Sequence, residues 1–293
     1  MPPLTPEQLA MRRTGITATD IAAIVGLNPY RSQLEVYASK VGEPDPIPDN
    51  EPMWWGRALE PVVAARYGEL NDREMDPWTV TVRCADDPLL LATPDYVAVA
   101  SNGDSQPVEV KTALSGRQVK RWGGGGDEVP EEYIVQCQWS MKVCGVDEWD
   151  IAALLAMYNG GATFRQYRLK RDNDLIAALV QRAHGWWEGF VEAGVEPPAD
   201  GTDSAKRALG SLHPRNTAAD IPIAMESEEE LMAEYGAAAA DCADTTAERD
   251  RLKQLLMQRI GDHDGIESMG GGRATWKANK NGVRTFRFTE GRV

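Results

Sequence analysis

Two apolar-rich segments separated by a polar turn predict a β-hairpin between Leu89 and Lys111. The first segment reads L-L-L-A-T-P-D-Y-V-A-V and the second reads P-V-E-V-K. Between them lies S-N-G-D-S, which is built from residues that favour turns. We therefore expect two strands, with Asp95 at the start of the first strand.

Three charged residues are predicted to lie together on this hairpin. Side chains at positions i and i+2 of a strand point to the same face, so Glu109 and Lys111 project together, while Val108 and Val110 point into a core. With Asp95 they form a set that suits a divalent cation and an attacking water, because magnesium takes oxygen ligands and keeps several waters. The alternative is an exposed strand whose charges alternate without any chemical role.

Helical and strand patterns alternate along the first two hundred residues. Thr17 or Thr19 is the expected N-terminal cap of the first helix, which runs from about Asp20. Further helices are predicted at 32–42, 53–68, 130–145 and 172–193. Strands are predicted at 79–84, 89–99, 107–111, 149–158 and 164–170, the last as an edge strand. This order predicts an α/β fold with a central mixed β-sheet flanked by helices.

Composition changes after the predicted core. Residues 1–200 are expected to form the core domain, and a segment rich in Pro, Gly and Ala predicts a linker at 201–225. Residues 226–293 are predicted to form a long helix with an acidic first half, followed by a hairpin in which basic and aromatic residues alternate. We expect this tail to dock on a partner or on the core, and its hairpin to contact DNA.

The net charge of −14 opposes simple nucleic-acid binding, because phosphate contacts need Lys and Arg. The charges are unevenly distributed, however, with acidic residues concentrated at 43–51, 69–76 and 226–250. Basic residues gather near the motif-rich segments: Arg12, Arg13, Arg31, Lys111, Arg117, Lys120 and Arg121. We therefore expect an acidic shell around a locally basic channel.

No sequence feature indicates export or membrane insertion. The chain has no apolar run of about eighteen residues, and its first residues lack the apolar core of a signal peptide. The four cysteines, Cys84, Cys137, Cys144 and Cys242, form no C-x-x-C pair and are expected to be buried thiols. We expect a cytoplasmic protein with no membrane partner.

Five segments in order resemble the YqaJ-type viral recombinase family, the phage exonucleases related to lambda exonuclease. They are G-I-T-A-T-D-I-A-A-I-V-G-L-N-P-Y, W-G-R-A-L-E-P, T-P-D, E-V-K and V-P-E-E-Y-I-V-Q-C-Q-W-S-M, within roughly residues 12–192. The resemblance implies a restriction-endonuclease-like PD-(D/E)xK core.

The resemblance also implies roles for individual residues. Asp95 and Glu109 match the metal-binding carboxylates, and Lys111 matches the catalytic lysine. Glu60 matches a helix acid that helps to hold the metal, and Gln136 matches the helix glutamine beside the lysine. The bland alternative for these last two is a solvated position on a helix surface.

Further roles concern the metal and the DNA. The Val110 carbonyl is expected to join the two carboxylates as a metal ligand. Thr19 stands where many relatives have serine, so a phosphate or water contact is retained, and Arg12 or Arg13 is expected to hold a 5′ phosphate. Arg117 and Lys120 are expected to bind DNA as well.

The implied function is a Mg²⁺-dependent DNA exonuclease of a phage or prophage, acting in the cytoplasm of a bacterial host, with Mn²⁺ able to substitute. It would digest one strand of linear duplex DNA, in the 5′ to 3′ direction, and leave 3′ tails for a single-strand annealing protein. Relatives encircle DNA as rings, so we expect a homo-oligomer such as a trimer. The alternatives are a catalytically idle DNA-binding or host-interaction module on the same fold, and a structure-specific endonuclease.

Overall fold

The structure is a computed structural model that describes residues 5–42, 50–123, 128–156, 161–213, 245, 264–267, 273–278 and 284–289. The chain forms two compact units, Met1–Asn216 and Thr217–Val293. The described helices of the first unit are α1 (Pro6–Arg13), α2 (Ala18–Ile24), α3 (Gln33–Val41), α4 (Glu51–Asn71), α5 (Gly116–Val119), α6 (Glu131–Cys144), α7 (Asn173–Trp186) and α8 (Asp203–Leu212). Its described strands are β1 (Glu74–Pro77), β2 (Val82–Arg83), β3 (Leu91–Ala92), β4 (Tyr96–Val99), β5 (Ser105–Ala113), β6 (Glu148–Ala156) and β7 (Ala162–Lys170).

A five-stranded mixed sheet forms the centre of the first unit. Its strand order is β1-β4-β5-β6-β7, in which β5 and β6 are parallel and the other neighbours are antiparallel. The parallel pair requires a crossover, and α6 lies in the chain between β5 and β6. The mixed sheet predicted from the sequence is therefore confirmed, including β7 as an edge strand.

The two faces of the sheet pack on different helices. Val108 and Val110 of β5 pack with Val63, Ala64 and Tyr67 of α4. On the other face, Ala113 of β5 and alternate residues of β6 pack with Cys137 and Met141 of α6. A third apolar cluster joins α2, α3, α7 and α8 to the far side of α6. Helix α6 is therefore buried on both sides.

The hairpin between residues 89 and 111 forms, but its first strand is interrupted. The segment predicted as one strand at 89–99 consists of β3 and β4, separated by Thr93, Pro94 and Asp95. Proline has no backbone N–H and cannot donate to a sheet ladder. The interruption leaves Asp95 immediately before β4.

Other elements near the hairpin also differ from the prediction. Only Val82 and Arg83 of the segment 79–84 are in a strand. The edge strand β1, E-M-D-P, was not predicted, because it has few apolar residues and no clear alternation. A proline at its end is tolerated because an edge strand needs fewer ladder donors.

Helix boundaries follow local capping chemistry. The hydroxyl of Thr17, and not that of Thr19, caps α2, and Asp20 completes the capping box by accepting from the Thr17 N–H. The helix predicted at 172–193 ends as α7 at Trp186 and continues as a π-helical turn over Trp187–Glu192.

Part of the predicted linker at 201–225 is a helix. Ser204 of α8 bonds to Ser32 and Glu35 at the start of α3, and Ala205 and Ala208 lie in the core. The expectation of a linker is therefore wrong for residues 203–212. The small residues that suggested a linker instead allow close helix packing.

The second unit contains a three-stranded antiparallel sheet. Its strands are β8 (Gly265–Glu267), β9 (Arg273–Ala278) and β10 (Arg284–Thr289), with β9 in the centre. The predicted hairpin is confirmed as the β9–β10 pair. The helix predicted over 226–260 lies outside the described residues, apart from Thr245.

The tryptophans of the first unit differ in how deeply they are buried. Trp139 is buried and its indole N–H donates to the Leu91 carbonyl, 3.0 Å away. Trp54 and Trp55, by contrast, are about half exposed at the start of α4. Among the described residues, no helix combines the length and apolar character that crossing a membrane requires.

Candidate active site

The register of β4 and β5 places Asp95 next to Glu109. Tyr96 pairs with Val108 in the antiparallel ladder, so the next position on each strand brings Asp95 opposite Glu109. Opposed residues of neighbouring strands project to the same face. The Lys111 ammonium also lies on this face and contacts the Glu109 carboxylate, with 2.5 Å between Nζ and Oε1. The three residues predicted from the sequence are therefore brought together.

The main chain of Val110 is part of the same site. Its N–H donates to the Asp95 carboxylate, with 2.8 Å between the two atoms. A strand residue directs its N–H and C=O to the same side, so the Val110 carbonyl also lies on the side of Asp95. The Asp95 side chain can reach this edge of β5 because the pairing of β4 with β5 ends at Tyr96 and Val108.

Burial and like charge act together on Asp95. Burial raises the pKa of its carboxyl to about 8, with a further contribution from the Glu109 carboxylate and a smaller one from Glu60. The Lys111 ammonium and the Val110 N–H act in the opposite direction. The carboxylates of Asp95, Glu109 and Glu60 therefore bring more negative charge to this place than the single Lys111 ammonium neutralises.

The same carboxylates also shift the pKa of Lys111, and they favour its charged form. Burial alone lowers the pKa of this ammonium, but the Glu109 and Asp95 carboxylates raise it above its ordinary value. The Tyr133 ring of α6 lies 5.0 Å from Nζ and adds a cation–π contact. Lys111 is thus a fixed cation throughout the neutral pH range.

Two neighbouring helices supply the remaining predicted residues. Glu60 of α4 is half-buried and lies close enough to raise the pKa of both Asp95 and Tyr96. Gln136 is buried and follows Tyr133 by three positions on α6, so the two side chains lie on adjacent turns of one helix face. Gln136 therefore shares the helix face of Tyr133, whose ring contacts Lys111, and its position beside the lysine stays a prediction.

A second cluster of charges lies at the start of α2, around Asp20. Asp20 is buried and pairs with Lys40, at 2.7 Å, and with Arg31. Burial alone would raise its pKa, but Lys40, Arg31 and Arg12 together hold that pKa well below the usual range. The Asp20 cluster is therefore a completed ion cluster.

Arg12 connects the Asp20 cluster to the T-P-D turn. Its guanidinium donates to Thr93, two positions before Asp95, at 3.1 Å and to Thr17 at 3.4 Å. Burial lowers the pKa of Arg12 and the Asp20 charge opposes this effect. Arg12 is half-buried, and a guanidinium that bonds to hydroxyl groups can still accept an anion, because neither hydroxyl neutralises it.

The other predicted phosphate-binding residues lie around this arrangement. Thr19 is half-buried on the first turn of α2, where its hydroxyl does not act as the cap. Arg13 is exposed at the end of α1. Arg117 and Lys120 are exposed just after β5, which carries Glu109 and Lys111.

The donors of the site are oxygen atoms of the kind that a divalent cation prefers. Within the described ranges, no three His, Cys, Asp or Glu side chains converge as a ready-made metal site. Glu109 is held by Lys111 and Asp95 by the Val110 N–H. Nonetheless, two adjacent carboxylates and a nearby carbonyl are the oxygen ligands that Mg²⁺ prefers, and excess negative charge favours a cation. The chemistry of these residues therefore fits a divalent metal.

The sequence model of the YqaJ-like viral recombinase domain matches residues 7–147. This part of the chain belongs to that family. The YqaJ-like domain includes every residue assigned above to the site and to the Asp20 cluster. It ends before β6, so strands β6 and β7 complete the sheet from outside the matched range.

Known proteins resemble the chain beyond the YqaJ-like domain. An uncharacterized protein of Bacillus subtilis named YqaJ is 26% identical over 275 residues, covering 92% of this chain and 82% of its own length. A structure of LHK-Exo in complex with dAMP has 21% identity and a TM-score of 0.52, covering 66% of this chain and 95% of the other.

A second structure of LHK-Exo is also similar to the chain. This alkaline exonuclease from Laribacter hongkongensis also has 21% identity and a TM-score of 0.52, covering 71% of this chain and 100% of the other. The likeness confirms the fold as a restriction-endonuclease-like α/β core.

Sequence reasoning missed two features of the YqaJ-like domain. Tyr133 lies in the quoted P-E-E-Y segment, and its spacing of three from Gln136 was the available signal. Lys40 gave no comparable signal, because a lysine at the end of a helix is ordinarily a solvated residue. The sequence placed Asp20 at the start of the first helix, and in the structure this residue both completes the capping box of α2 and is the centre of the Asp20 cluster.

Proposed function

We propose that this protein is a metal-dependent DNA exonuclease of a phage or prophage recombination system. It digests one strand of linear duplex DNA in the 5′ to 3′ direction and leaves 3′ single-stranded tails for an annealing protein. The observation that carries the proposal is the placement of Asp95, Glu109 and Lys111 on one face beside the Val110 main chain. The family of residues 7–147 and the fold shared with an alkaline exonuclease support it.

Asp95, Glu109 and the Val110 carbonyl would hold Mg²⁺ or Mn²⁺, with Glu60 in support. A divalent metal in that position lowers the pKa of a coordinated water and offsets charge on the phosphate. Lys111 orients the attacking water and neutralises phosphate charge, because its raised pKa keeps it protonated. Gln136 borders the lysine and helps to hold the water in line with the scissile bond.

Arg12 receives the 5′ phosphate of the strand that is digested. Its guanidinium lies between the N-terminus of α2 and the T-P-D turn, so a phosphate bound there is held next to the metal ligands. Thr19 and Arg13 border this position, and Arg117 and Lys120 contact the backbone further along. We further propose that the protein acts in the bacterial cytoplasm as a homo-oligomer, such as a trimer.

The test uses a linear duplex that carries a label at either the 5′ or the 3′ end. In Mg²⁺, early release of short products from the 5′ label and slow shortening of the 3′-labelled strand are expected. EDTA and the Glu109→Gln variant serve as controls and should stop both reactions. Release from the 3′ label first would contradict the proposed polarity.

A covalently closed circular plasmid of the same sequence separates the alternatives. An exonuclease leaves the circle intact, whereas a structure-specific endonuclease nicks or linearises it. A protein that binds both substrates and cleaves neither in Mg²⁺ or Mn²⁺ would be the catalytically idle module.

A further inference from the structure

In the three-stranded sheet of the second unit, three of the four cations of β9 and β10 lie on the side opposite the aromatic residues. In β9 and β10, Thr275 pairs with Arg287 and Lys277 pairs with Thr285. Arg273 pairs with Thr289 at the end of the ladder. Paired residues project to the same side and alternate along each strand. One side, here called the basic face, therefore carries Arg273, Thr275, Lys277, Thr285, Arg287 and Thr289. The register also places one acid on this side, because Glu267 of β8 pairs with Arg273.

The opposite side of the sheet carries the aromatic residues. Trp276 pairs directly with Phe286, and Ala274 pairs with Phe288. The sequence pattern suggested that basic and aromatic side chains lie beside each other as one contact surface. The period of two in a strand instead places Arg273, Lys277 and Arg287 on the side opposite the rings, whereas Arg284, which pairs with Ala278, shares the aromatic side. The residues of β9 and β10 on the basic face therefore include no aromatic ring.

The cations of the basic face are accessible. Arg273, Lys277 and Arg287 are all exposed. Lys277 contacts Asp264 at 3.0 Å, and both side chains are more than half exposed. An ion pair in water is weak and yields readily to a stronger anion.

The local charge opposes that of the whole chain. Residues 273–293 contain six Lys or Arg residues and one acidic residue, Glu290, whereas the whole chain has a net charge of −14. A cationic patch on an acidic protein attracts polyanions to one place and leaves the remaining surface repulsive. Arg273 and Lys277 are four residues apart on one strand, about 13 Å, which spans several phosphates of a nucleic-acid strand.

We propose that the basic face binds the phosphate backbone of DNA without reading bases, as a site separate from the cleavage site. Guanidinium and ammonium groups contact phosphate oxygens, and the threonine hydroxyls donate further hydrogen bonds to them. The basic face lies outside residues 7–147, which match the YqaJ-like domain. It therefore adds DNA retention to the proposed function and takes no part in its chemistry.

The test measures DNA binding by the full chain in EDTA, where the proposed cleavage is stopped. Fluorescein-labelled duplex and single-stranded DNA of equal length are titrated at several KCl concentrations. The variant Arg273→Gln/Lys277→Gln/Arg287→Gln is expected to lose about tenfold in affinity at moderate salt. The slope of log K against log salt should fall by about 2 to 3, at roughly 0.9 per duplex phosphate and 0.7 per single-strand phosphate.

Two matched variants keep this result interpretable. Arg66→Gln/Arg182→Gln/Lys206→Gln removes the same charge from exposed positions of the first unit and should alter affinity and slope far less. The charge-preserving variant Arg273→Lys/Lys277→Arg/Arg287→Lys should bind like the parent protein. Equal losses in the first-unit variant, a loss in the charge-preserving variant, or an unchanged slope in the Gln variant would each overturn the proposal.

Comparison of duplex with single-stranded DNA shows which of the two the basic face prefers. A larger loss on duplex supports retention of the substrate, and a larger loss on the single strand supports retention of the product tail. Cleavage of a short duplex in Mg²⁺ at saturating protein is measured in parallel. The Gln variant should retain cleavage there, whereas failure of the proposed function itself would appear as absent cleavage in the parent protein.

Discussion

Two aspartates of the first unit, Asp20 and Asp95, have opposite electrostatic surroundings. Burial is the largest influence on the pKa of each, and it acts upward in both. The neighbours of Asp20 are Lys40, Arg31 and Arg12, and its pKa is lowered. The neighbours of Asp95 include Glu109 and Glu60, and its pKa is raised to about 8.

The difference indicates what each region contributes. A buried carboxylate that is paired and hydrogen-bonded stabilises the fold through its charge, and removing either partner is costly. A carboxylate held beside other carboxylates lowers stability until a cation arrives. The Asp20 cluster is therefore a structural centre that also holds Arg12, whereas the Asp95 site is prepared for a ligand.

The largest expected effect is on cleavage. Asp95→Asn or Glu109→Gln should reduce metal-dependent cleavage by at least about a thousandfold, because each removes a charged metal ligand. Asp95→Asn should not lower the free energy of unfolding in EDTA, since it relieves repulsion from Glu109 and Glu60, whereas Glu109→Gln also removes the partner of Lys111. Steady-state cleavage of labelled duplex and thermal unfolding in EDTA measure the two quantities. Full activity in either variant would exclude the assigned site.

The second effect is on stability. Asp20→Asn should reduce the free energy of unfolding by about 3 to 5 kcal/mol at pH 7, because Lys40 and Arg31 then lose a buried counter-charge. Urea unfolding at constant pH measures this. Glu69→Gln, which removes one partner of the exposed Arg66–Glu69 pair, is the control and should have little effect.

Acidification sharpens this second prediction. A carboxylate with a lowered pKa contributes stability above its unfolded pKa, about 3.9, and loses that contribution as the pH falls toward the folded value. The difference between the parent protein and Asp20→Asn should therefore be largest at neutral pH and shrink below about pH 4. A difference that grows on acidification would mean that Asp20 is not a paired carboxylate.

The third effect separates chemistry from binding. Lys111→Ala should lower turnover by about a hundredfold and leave DNA affinity in EDTA nearly unchanged, because Lys111 is assigned to the reaction. Lys120→Ala is the comparison, since this exposed lysine is assigned to the DNA backbone and should affect affinity more than turnover. Single-turnover kinetics at saturating protein distinguish the two. Weak binding with normal turnover in Lys111→Ala would make Lys111 an ordinary phosphate contact.

The smallest effect concerns the 5′ phosphate. The parent protein should digest 5′-phosphorylated duplex faster than 5′-hydroxyl duplex, and Arg12→Gln should reduce that preference by about tenfold. The ratio of the two initial rates cancels general losses of activity. An unchanged ratio in Arg12→Gln would place the phosphate elsewhere.

Local periodicity predicted the Asp95 site better than the Asp20 cluster. Glu109 and Lys111 share a face by strand period alone, and the hairpin register supplies Asp95. Asp20 meets Arg31 and Lys40, 11 and 20 residues further along, only after α2 and α3 have packed. The Arg12–Thr93 contact spans 81 residues. Such contacts depend on tertiary packing and leave no periodic signal.

Dependence on tertiary packing also explains why the sequence did not predict two elements of secondary structure, β1 and α8. Strand β1 is an edge strand with little burial, so its sequence lacks the apolar alternation that identifies strands. Helix α8 is short and rich in small residues, and it is fixed by its contacts with Ser32 and Glu35. Both elements are held by partners distant in sequence.

The most direct test of the contrast between Asp20 and Asp95 is thermal unfolding as a function of Mg²⁺ concentration, for the parent protein and Asp95→Asn. The midpoint of the parent protein should rise with Mg²⁺, since a ligand at about 100 times its Kd adds about 2.7 kcal/mol. Asp95→Asn should start at or above the parent protein in EDTA and respond little to the metal. A parent midpoint that ignores Mg²⁺, or an equal rise in Asp95→Asn, would contradict the account.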